Sequence, residues 1–193
     1  MNKQIVLSTN NKGKLTEYRE ILGPMGYVIY CPNDFQLQIE VEETGKTYRE
    51  NSLLKAKALS EYLNIPIIAD DSGLCIDSLG GFPGLYSSRY AESLGGYENA
   101  YADLNKRLSG LSRDCHFHCC ICYLEKGKSP LYFEGDCPGV LLSAPKGAHG
   151  FGYDPIFFSS ELGKAFGEAS EEEKNRVSHR RKAITKLAIA LGI

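Results

Sequence analysis

The first 70 residues alternate short apolar runs with stretches of helical periodicity, which predicts strands alternating with helices. Residues 5–7 and 27–30 are apolar and predict the first two strands. Between them, apolar side chains recur at helical spacing at Leu15, Tyr18, Ile21 and Leu22. Gly23-Pro24 ends this helix, and the polar residues 8–14 are predicted to form the loop before it.

A second helix and a third strand are predicted between residues 47 and 73. Thr47 and Glu50 have the spacing of a capping box, and the helix they begin is predicted to reach about residue 63. Leu54, Ala58 and Tyr62 are predicted to lie on a common side of this helix. The apolar, β-branched run 65–69 then predicts a buried strand that a Ser-Gly turn closes.

Strands cluster in the middle of the chain. A helix and three strands are predicted there, over 97–108, 115–122, 131–134 and 140–142. Ser170 and Glu173 form a second capping box, and the last helix is predicted over 179–191. This order of elements predicts one α/β domain over 1–193, built on a mixed rather than a purely parallel sheet.

Two adjacent carboxylates, Asp70 and Asp71, follow directly after the buried run 65–69. Adjacent aspartates at a strand end repel each other unless a positive group lies between them and a partner, and a divalent cation is a common solution. The alternative is an Asx-type turn with solvated acids.

The charge balance excludes some partners. The chain has 22 Lys and Arg against 24 Asp and Glu, so no global field indicates a nucleic acid or an anionic membrane surface. The start of the chain, Met1 to Gln4 followed by only three apolar residues, is too short for an export leader or a membrane span. We therefore expect a cytoplasmic protein.

Seven cysteines are present, four of them within 115–122. An odd number without an export leader indicates reduced thiols rather than a disulfide scaffold. A zinc site is the alternative, because Cys and His both bind zinc, but no pair of Cys-x-x-Cys motifs is present. A buried strand of small apolar thiols is the preferred interpretation.

Segment 9–14 is the first candidate for chemistry, and it comprises Thr9, Asn10, Asn11, Lys12, Gly13 and Lys14. Free backbone N–H groups before a helix, a glycine and two ammonium groups together suit phosphate. A solvated basic loop is the alternative, since the segment lacks the Walker pattern.

The acidic segment 40–43 contains Glu40, Glu42 and Glu43, and a second group of acids comprises Asp70, Asp71 and Asp77. One acid from each group could hold Mg²⁺ through oxygen ligands, and a carboxylate can take a proton from water. An acidic surface patch is the alternative.

Two further segments suit a nucleobase. In 151–155 two aromatic side chains flank a glycine, which suits stacking, although a buried aromatic pair at a turn would look the same. Lys174, His179 and Arg180 lie near the start of the last helix. Arg and His donate hydrogen bonds to a carbonyl oxygen and pair badly with an amino group, but a basic helix face is often only solvated.

These segments occur in an order that resembles the inosine triphosphate pyrophosphatase family. The motifs that carry the resemblance are 8–14, 42–45, 50–56, 69–74, 80–84, 151–155 and 178–180, and they run nearly from end to end. The resemblance implies a long, curved mixed sheet, two lobes around a nucleotide cleft and a homodimer. It also implies Mg²⁺-dependent hydrolysis of ITP, dITP or XTP to the monophosphate and pyrophosphate.

The resemblance also implies roles for individual residues. Asp71 would be the proton acceptor and a metal ligand, with Glu42 as the second metal carboxylate. Segment 9–14 would hold the triphosphate, with Lys55 and Lys174 adding charge and Ser72 touching the nucleotide. The base pocket would contain Phe151, Gly152, Tyr153 and Asp154, with His179 and Arg180 reading the 6-keto oxygen. Two other classes stay open: a nucleotide-binding regulatory module without catalysis, and a zinc-binding interaction protein.

Overall fold

The computed structural model describes residues 3–192. Met1 and Asn2, on which the argument against an export leader partly rests, lie outside the described residues, as does Ile193. The helices are α1 (Lys12–Leu22), α2 (Tyr48–Ser60), α3 (Ser87–Ser93), α4 (Tyr97–Arg107), α5 (Glu171–Val177) and α6 (His179–Ala190). The strands are β1 (Lys3–Leu7), β2 (Tyr27–Tyr30), β3 (Ile67–Ile76), β4 (Phe82–Pro83), β5 (Asp114–Leu124), β6 (Leu131–Leu141), β7 (Phe157–Ser159) and β8 (Lys164–Ala165).

The strands form one mixed sheet. Their order is β2-β1-β3-β5-β6-β7-β8, and β4 pairs with β3. β1 pairs in parallel with both β2 and β3, whereas β7 pairs antiparallel with both β6 and β8. The predicted α/β fold on a mixed sheet is therefore confirmed.

The chain divides into two compact units. Among the described residues, unit 1 comprises 3–71, Cys119–Gly135 and 180–192, and unit 2 comprises Ser72–His118 and Asp136–His179. In unit 1, α1 and α6 pack against alternate residues of β1, such as Ile5 and Leu7. The intervening Val6 faces the other side, where it packs with Ala56 and Leu59 of α2. Alternation along a strand thus builds two apolar layers on opposite faces of the sheet.

Unit 2 has a core of its own, in which aromatic rings predominate. Phe117 on β5 lies 4.4 Å from the ring of Phe157 on β7, measured between centroids. Leu104 of α4 and Ala91 of α3 belong to the same cluster, together with Phe166. α3 and α4 are each held by burial of an apolar face in this core.

The predicted end of the third strand was wrong. β3 does not stop at residue 69 but continues without a turn through Asp70, Asp71, Ser72 and Gly73 to Ile76. The two aspartates can lie inside a strand because each has positively charged partners, described below. In the sequence alone, two adjacent aspartates followed by Ser-Gly are typical of a turn rather than of a buried strand.

The predicted pair of strands 131–134 and 140–142 is also wrong, because β6 is one strand of 11 residues. Its two glycines and its proline do not break it. A Cβ at Gly139 would overlap the carbonyl oxygen of Phe158 and the ring of Phe157 on the neighbouring strand. Gly139 therefore permits close approach of β7 rather than a turn.

Two helix boundaries differ from those predicted. α1 begins at Lys12, inside the predicted loop, because the side chain of Asn11 accepts a hydrogen bond from the Lys14 N–H (3.1 Å) and caps the helix. α2 ends at Ser60 rather than near residue 63, and Tyr62 is 63% exposed. The buried residues of α2 are Asn51, Ser52, Ala56 and Leu59, so the predicted apolar side was wrong.

Other predictions are confirmed. The capping box of Ser170 and Glu173 begins α5, and α6 covers His179–Ala190. The cysteine-rich run forms β5; its Cys119 and Cys122 pack into the two opposite apolar layers of unit 1. All seven cysteines are buried, and no disulfide joins them within residues 3–192.

Over the same range, none of the helices combines the length and the apolar character that crossing a membrane requires.

Candidate active site

Asp70 lies at the centre of a buried charge network in unit 1. Its Oδ1 accepts a hydrogen bond from Lys14 Nζ (2.9 Å), and its Oδ2 accepts one from Arg180 Nε (2.8 Å). The guanidinium of Arg180 also contacts Glu17, and all three of Asp70, Arg180 and Glu17 are almost fully buried. Burial alone would raise the pKa of Asp70, but Lys14 and Arg180 outweigh it and hold that pKa well below its usual range. Lys14 and Arg180 therefore stabilise the ionised form of Asp70 inside the fold.

Asp71 faces the other side of β3 and has different partners. Its Oδ2 accepts a hydrogen bond from Asn51 Nδ2 (3.0 Å), and its Oδ1 lies 3.7 Å from Lys55 Nζ. Burial raises the pKa of Asp71 above its usual value, and the negative charge of Glu43 adds to the effect. Lys55 and the Asn51 hydrogen bond only partly oppose this rise. A buried carboxylate with a raised pKa beside an ammonium and a second carboxylate is typical of groups that act on a ligand.

Segment 9–14 comprises the end of the loop that follows β1 and the first residues of α1. The hydroxyl of Thr9 accepts a hydrogen bond from the Asn11 N–H (3.1 Å), and Asn11 caps the helix. Asn10, Asn11 and Lys12 are exposed, whereas Thr9, Gly13 and Lys14 are partly buried. The backbone N–H groups at this helix start are suited to an anion. Lys14 links the segment directly to Asp70.

The acidic segment 40–43 has no regular secondary structure. Glu43 reaches the surroundings of Asp71, because Glu43 Oε1 lies 2.6 Å from Lys55 Nζ. Glu42 is exposed. The two negative partners raise the pKa of Lys55 despite its burial, so Lys55 is a firmly charged ammonium between two carboxylates.

The donor set around Asp71 fits a hard divalent cation. The carboxylates of Asp71 and Glu43 share one ammonium, and a further positive charge would offset the cost of burying Asp71. Mg²⁺ usually takes only one or two protein carboxylates and completes its shell with water and substrate phosphate. No group of three His, Cys, Asp or Glu side chains arranged for a metal occurs among residues 3–192.

A second polar group lies in unit 2 around Asp154. Asp154 Oδ2 accepts hydrogen bonds from Lys174 Nζ (2.8 Å) and from the Phe151 N–H (2.8 Å). The Lys174 ammonium also lies 4.6 Å from the centroid of the Phe151 ring. Lys174 is 2% exposed, and these contacts place it beside two of the predicted base-pocket residues, Phe151 and Asp154.

The remaining residues of 151–154 are held by the core of unit 2. Tyr153 is buried, and its hydroxyl donates a hydrogen bond to the carbonyl of Ser87 (2.8 Å). Tyr101 donates to the carbonyl of Gly152. Phe151 and Gly152 are partly buried. Tyr153 therefore anchors this turn to the core of unit 2, and Phe151 is the more accessible of the two rings.

His179 and Arg180 are neighbours in sequence with different surroundings. His179 stacks on Phe117, with ring centroids 4.9 Å apart and an interplanar angle of 19°. Arg180 belongs to the network of Asp70 and Glu17 in unit 1, which takes its Nε and Nη1. Ser72 is partly buried and follows Asp71 on β3. The contacts of these three residues with a nucleotide stay predictions.

Sequence reasoning missed Asn51 and Glu17. Asn51 lies one helical turn before Lys55, and that spacing alone would have placed both on the same side of α2. Glu17 lies four residues before Ile21, on the buried side of α1, where a carboxylate is unusual.

Comparisons with known proteins match this chain over nearly its whole length. The family model described as the Ham1 family matches residues 5–190. The dITP/XTP pyrophosphatase of Geobacillus kaustophilus is 43% identical over 188 residues, covering 96% of this chain and 92% of that protein. The dITP/XTP pyrophosphatase of Bacillus subtilis is 40% identical, with 96% of each chain covered. The structure of the Staphylococcus aureus Ham1 protein superposes with a TM-score of 0.86 at 37% identity, over 98% of both chains.

Proposed function

This chain belongs to the Ham1 family, and from that premise we propose that it hydrolyses ITP, dITP and XTP to the nucleoside monophosphate and pyrophosphate. Its relatives named dITP/XTP pyrophosphatase confirm the family resemblance carried by the sequence motifs. The protein is accordingly a nucleoside triphosphate pyrophosphatase, a hydrolase of phosphoric anhydrides. Removing non-canonical purine nucleotides from the nucleotide pool is the role that follows from this reaction.

One observation carries the proposal: Asp70 and Asp71 are adjacent on β3, but they have different partners. Asp70 accepts hydrogen bonds from Lys14 and Arg180, whereas Asp71 accepts one from the neutral amide of Asn51 and shares the Lys55 ammonium with Glu43. A protein that merely held a triphosphate would gain from cations and would have little use for a partly compensated carboxylate. A general base needs a carboxylate of this kind, since a carboxylate that is not held by two cations can accept a proton from water. This contrast favours an enzyme over a binding module.

Segment 9–14 and Lys55 are the proposed ligands of the triphosphate. The start of α1 offers backbone N–H groups, and Lys12 and Lys14 add two ammonium groups to the same segment. Lys14 is oriented by Asp70, which fixes the direction of its ammonium group. Phosphate binding here uses the helix start and point charges rather than a Walker loop.

Mg²⁺ is the proposed cofactor, with Asp71 and Glu42 as its carboxylate ligands and Glu43 as a further candidate. When bound, the cation supplies neutralisation of charge on the phosphate oxygens. The protein's own part in the reaction is played by Asp71, which takes a proton from the attacking water. Asn51 and Lys55 hold the Asp71 carboxylate during that step.

The residues around Asp154 are the proposed contacts of the base, with Phe151 as the stacking ring. His179 and Arg180 are the proposed donors to the 6-keto oxygen of hypoxanthine or xanthine. Adenine presents an amine there, and each buried donor left unpaired costs about 1–3 kcal/mol. Guanine shares the keto group, so these donors do not explain how GTP is rejected. We further propose a cytoplasmic homodimer, as the family resemblance implies.

The proposal is tested by pyrophosphate release from ITP, dITP, XTP, ATP and GTP, with Mg²⁺ and with EDTA. We expect Mg²⁺-dependent release of pyrophosphate from the first three, far above ATP and GTP. Release of inorganic phosphate in place of pyrophosphate would contradict the reaction. Equal rates on all five nucleotides would remove His179 and Arg180 as selectivity residues, and no release from any would leave a binding module.

A further inference from the structure

Asn51 contacts two separate parts of unit 1 with its one amide group. Its Nδ2 donates a hydrogen bond to Asp71 Oδ2 (3.0 Å), and its Oδ1 accepts one from the backbone N–H of Gly45 (2.8 Å). Asn51 is fully buried. The amide orientation is fixed by its partners, because the carboxylate can only accept and the backbone N–H can only donate.

Gly45 is shaped for this contact. A Cβ at position 45 would lie 2.5 Å from Asn51 Oδ1 and 2.9 Å from the Asn51 backbone nitrogen. The second of these atoms belongs to the first turns of α2 and has little freedom to move. Only glycine therefore lets the chain after the acidic segment 40–43 approach Asn51 so closely.

Lys55, one helical turn beyond Asn51, makes the same connection by charge. Its ammonium group lies 2.6 Å from Glu43 Oε1 and 3.7 Å from Asp71 Oδ1. Residues four apart project from the same side of a helix. Two side chains of α2 thus join the acidic segment to Asp71, one through hydrogen bonds and the other through an ammonium group.

We propose that Asn51 is a positioning residue that holds the Asp71 carboxylate in register with the acidic segment 40–43, so that their oxygens face one cation. Lys55 cannot do this alone, because a point charge attracts carboxylates without fixing their orientation. The inference rests on the proposed function for its activity readout. Asn51 itself touches neither the substrate nor the cation.

Three variants separate the two contacts. Asn51→Leu removes both. Asn51→Asp keeps an oxygen for the Gly45 N–H but places a carboxylate against Asp71. Gly45→Ala displaces the acidic segment while leaving the Asn51 donor in place. Ser52→Ala is the matched control, because Ser52 is an equally buried neighbour on α2 whose hydroxyl donates to the Arg49 carbonyl (3.0 Å).

Activity and cation binding are measured on each folded variant. We expect all three variants to lower kcat for XTP at least about tenfold with little change in KM, and Ser52→Ala to behave like wild type. Mn²⁺ binding without nucleotide, followed by electron paramagnetic resonance, should weaken by about tenfold in Asn51→Leu and Gly45→Ala. Asn51→Asp adds a carboxylate that attracts the cation, so this variant is compared by kcat and hydrogen exchange only. Wild-type kcat and Mn²⁺ affinity in Asn51→Leu would overturn the inference.

Amide hydrogen exchange distinguishes positioning from a general loss of helix stability. In Asn51→Leu and Gly45→Ala, exchange should accelerate around Gly45 while α2 stays protected, and in Asn51→Asp the Gly45 amide should stay protected. Uniform acceleration along α2, or a loss of kcat that Ser52→Ala reproduces, would overturn the inference. An inactive wild type would defeat the proposed function only, because exchange and Mn²⁺ binding are measured without the reaction.

Discussion

Asp70 and Asp71 differ because alternation along β3 turns their side chains to opposite faces of the sheet. The face of Asp70 carries Lys14 of α1 and Arg180 of α6. The face of Asp71 carries Asn51 and Lys55 of α2. Asp70 thus has two cationic partners within hydrogen-bond distance, whereas Asp71 shares the Lys55 ammonium with Glu43. This difference supports the proposal that Asp70 serves the structure and Asp71 the reaction.

Replacing Asp70 is expected to destabilise the fold. In Asp70→Asn the buried Arg180 keeps Glu17 but loses a charged partner, and breaking a buried ion pair in this way costs about 3–5 kcal/mol. Chemical denaturation monitored by circular dichroism measures this loss. A free energy of unfolding equal to that of wild type would show that the network contributes nothing net.

The pKa of Asp70 also predicts how stability depends on pH. Its pKa is lowered by folding, so its contribution to stability is complete above the unfolded pKa of about 4 and is lost as the pH falls below that value. The difference in unfolding free energy between wild type and Asp70→Asn should therefore be constant from neutral pH to about pH 4 and shrink in more acidic buffer. A difference that grows with acidification would contradict the assignment.

Replacing Asp71 is expected to leave the fold intact. Folding raises the pKa of this carboxylate, so its ionised form opposes folding at neutral pH. Asp71→Asn removes that charge, keeps an oxygen for Asn51 and leaves Lys55 paired with Glu43. The melting temperature of Asp71→Asn should equal or exceed that of wild type, as scanning calorimetry would show. A clear fall would place Asp71 with Asp70 as a structural residue.

At the scale of elements, the helix caps were the most predictable features. Ser170 accepts a hydrogen bond from the Glu173 N–H (3.2 Å), and the Glu173 carboxylate accepts one from the Ser170 N–H (2.8 Å). These are local contacts between residues three apart, which sequence spacing indicates. The box predicted at Thr47 and Glu50 is only half formed: Thr47 accepts from the Glu50 N–H, but the Glu50 carboxylate accepts from the Lys46 N–H instead of from Thr47. β3 was less predictable, because Asp70 is neutralised by residues 56 positions earlier and 110 positions later.

The cap of α5 supports a residue of the second polar group, since α5 carries Lys174. Ser170→Ala should destabilise the protein by about 1 kcal/mol, because the N-terminal N–H groups of α5 lose an acceptor. Ser170→Thr, which keeps the hydroxyl, is the control and should be close to wild type. Urea denaturation of the three proteins measures the effect, and equal midpoints would show that α5 is held by packing alone.

At the scale of the whole molecule, the sequence identified which segments matter better than what each residue does. The ordered motifs predicted the family and the mixed sheet. They did not predict that Lys174 pairs with Asp154, or that Arg180 pairs with Asp70 and Glu17. Ion pairs between distant segments depend on the packing of helices against the sheet, and one sequence carries no direct sign of them.

We propose that Asp71 acts on the reaction while Asp70 maintains the structure around it. The most direct measurement is XTP affinity by titration calorimetry together with turnover, on one preparation of Asp71→Asn that melts no lower than wild type. We expect XTP still to bind and turnover to fall by about 10²–10⁴-fold, the usual contribution of a general base. Turnover near that of wild type would contradict the role of Asp71 as the general base.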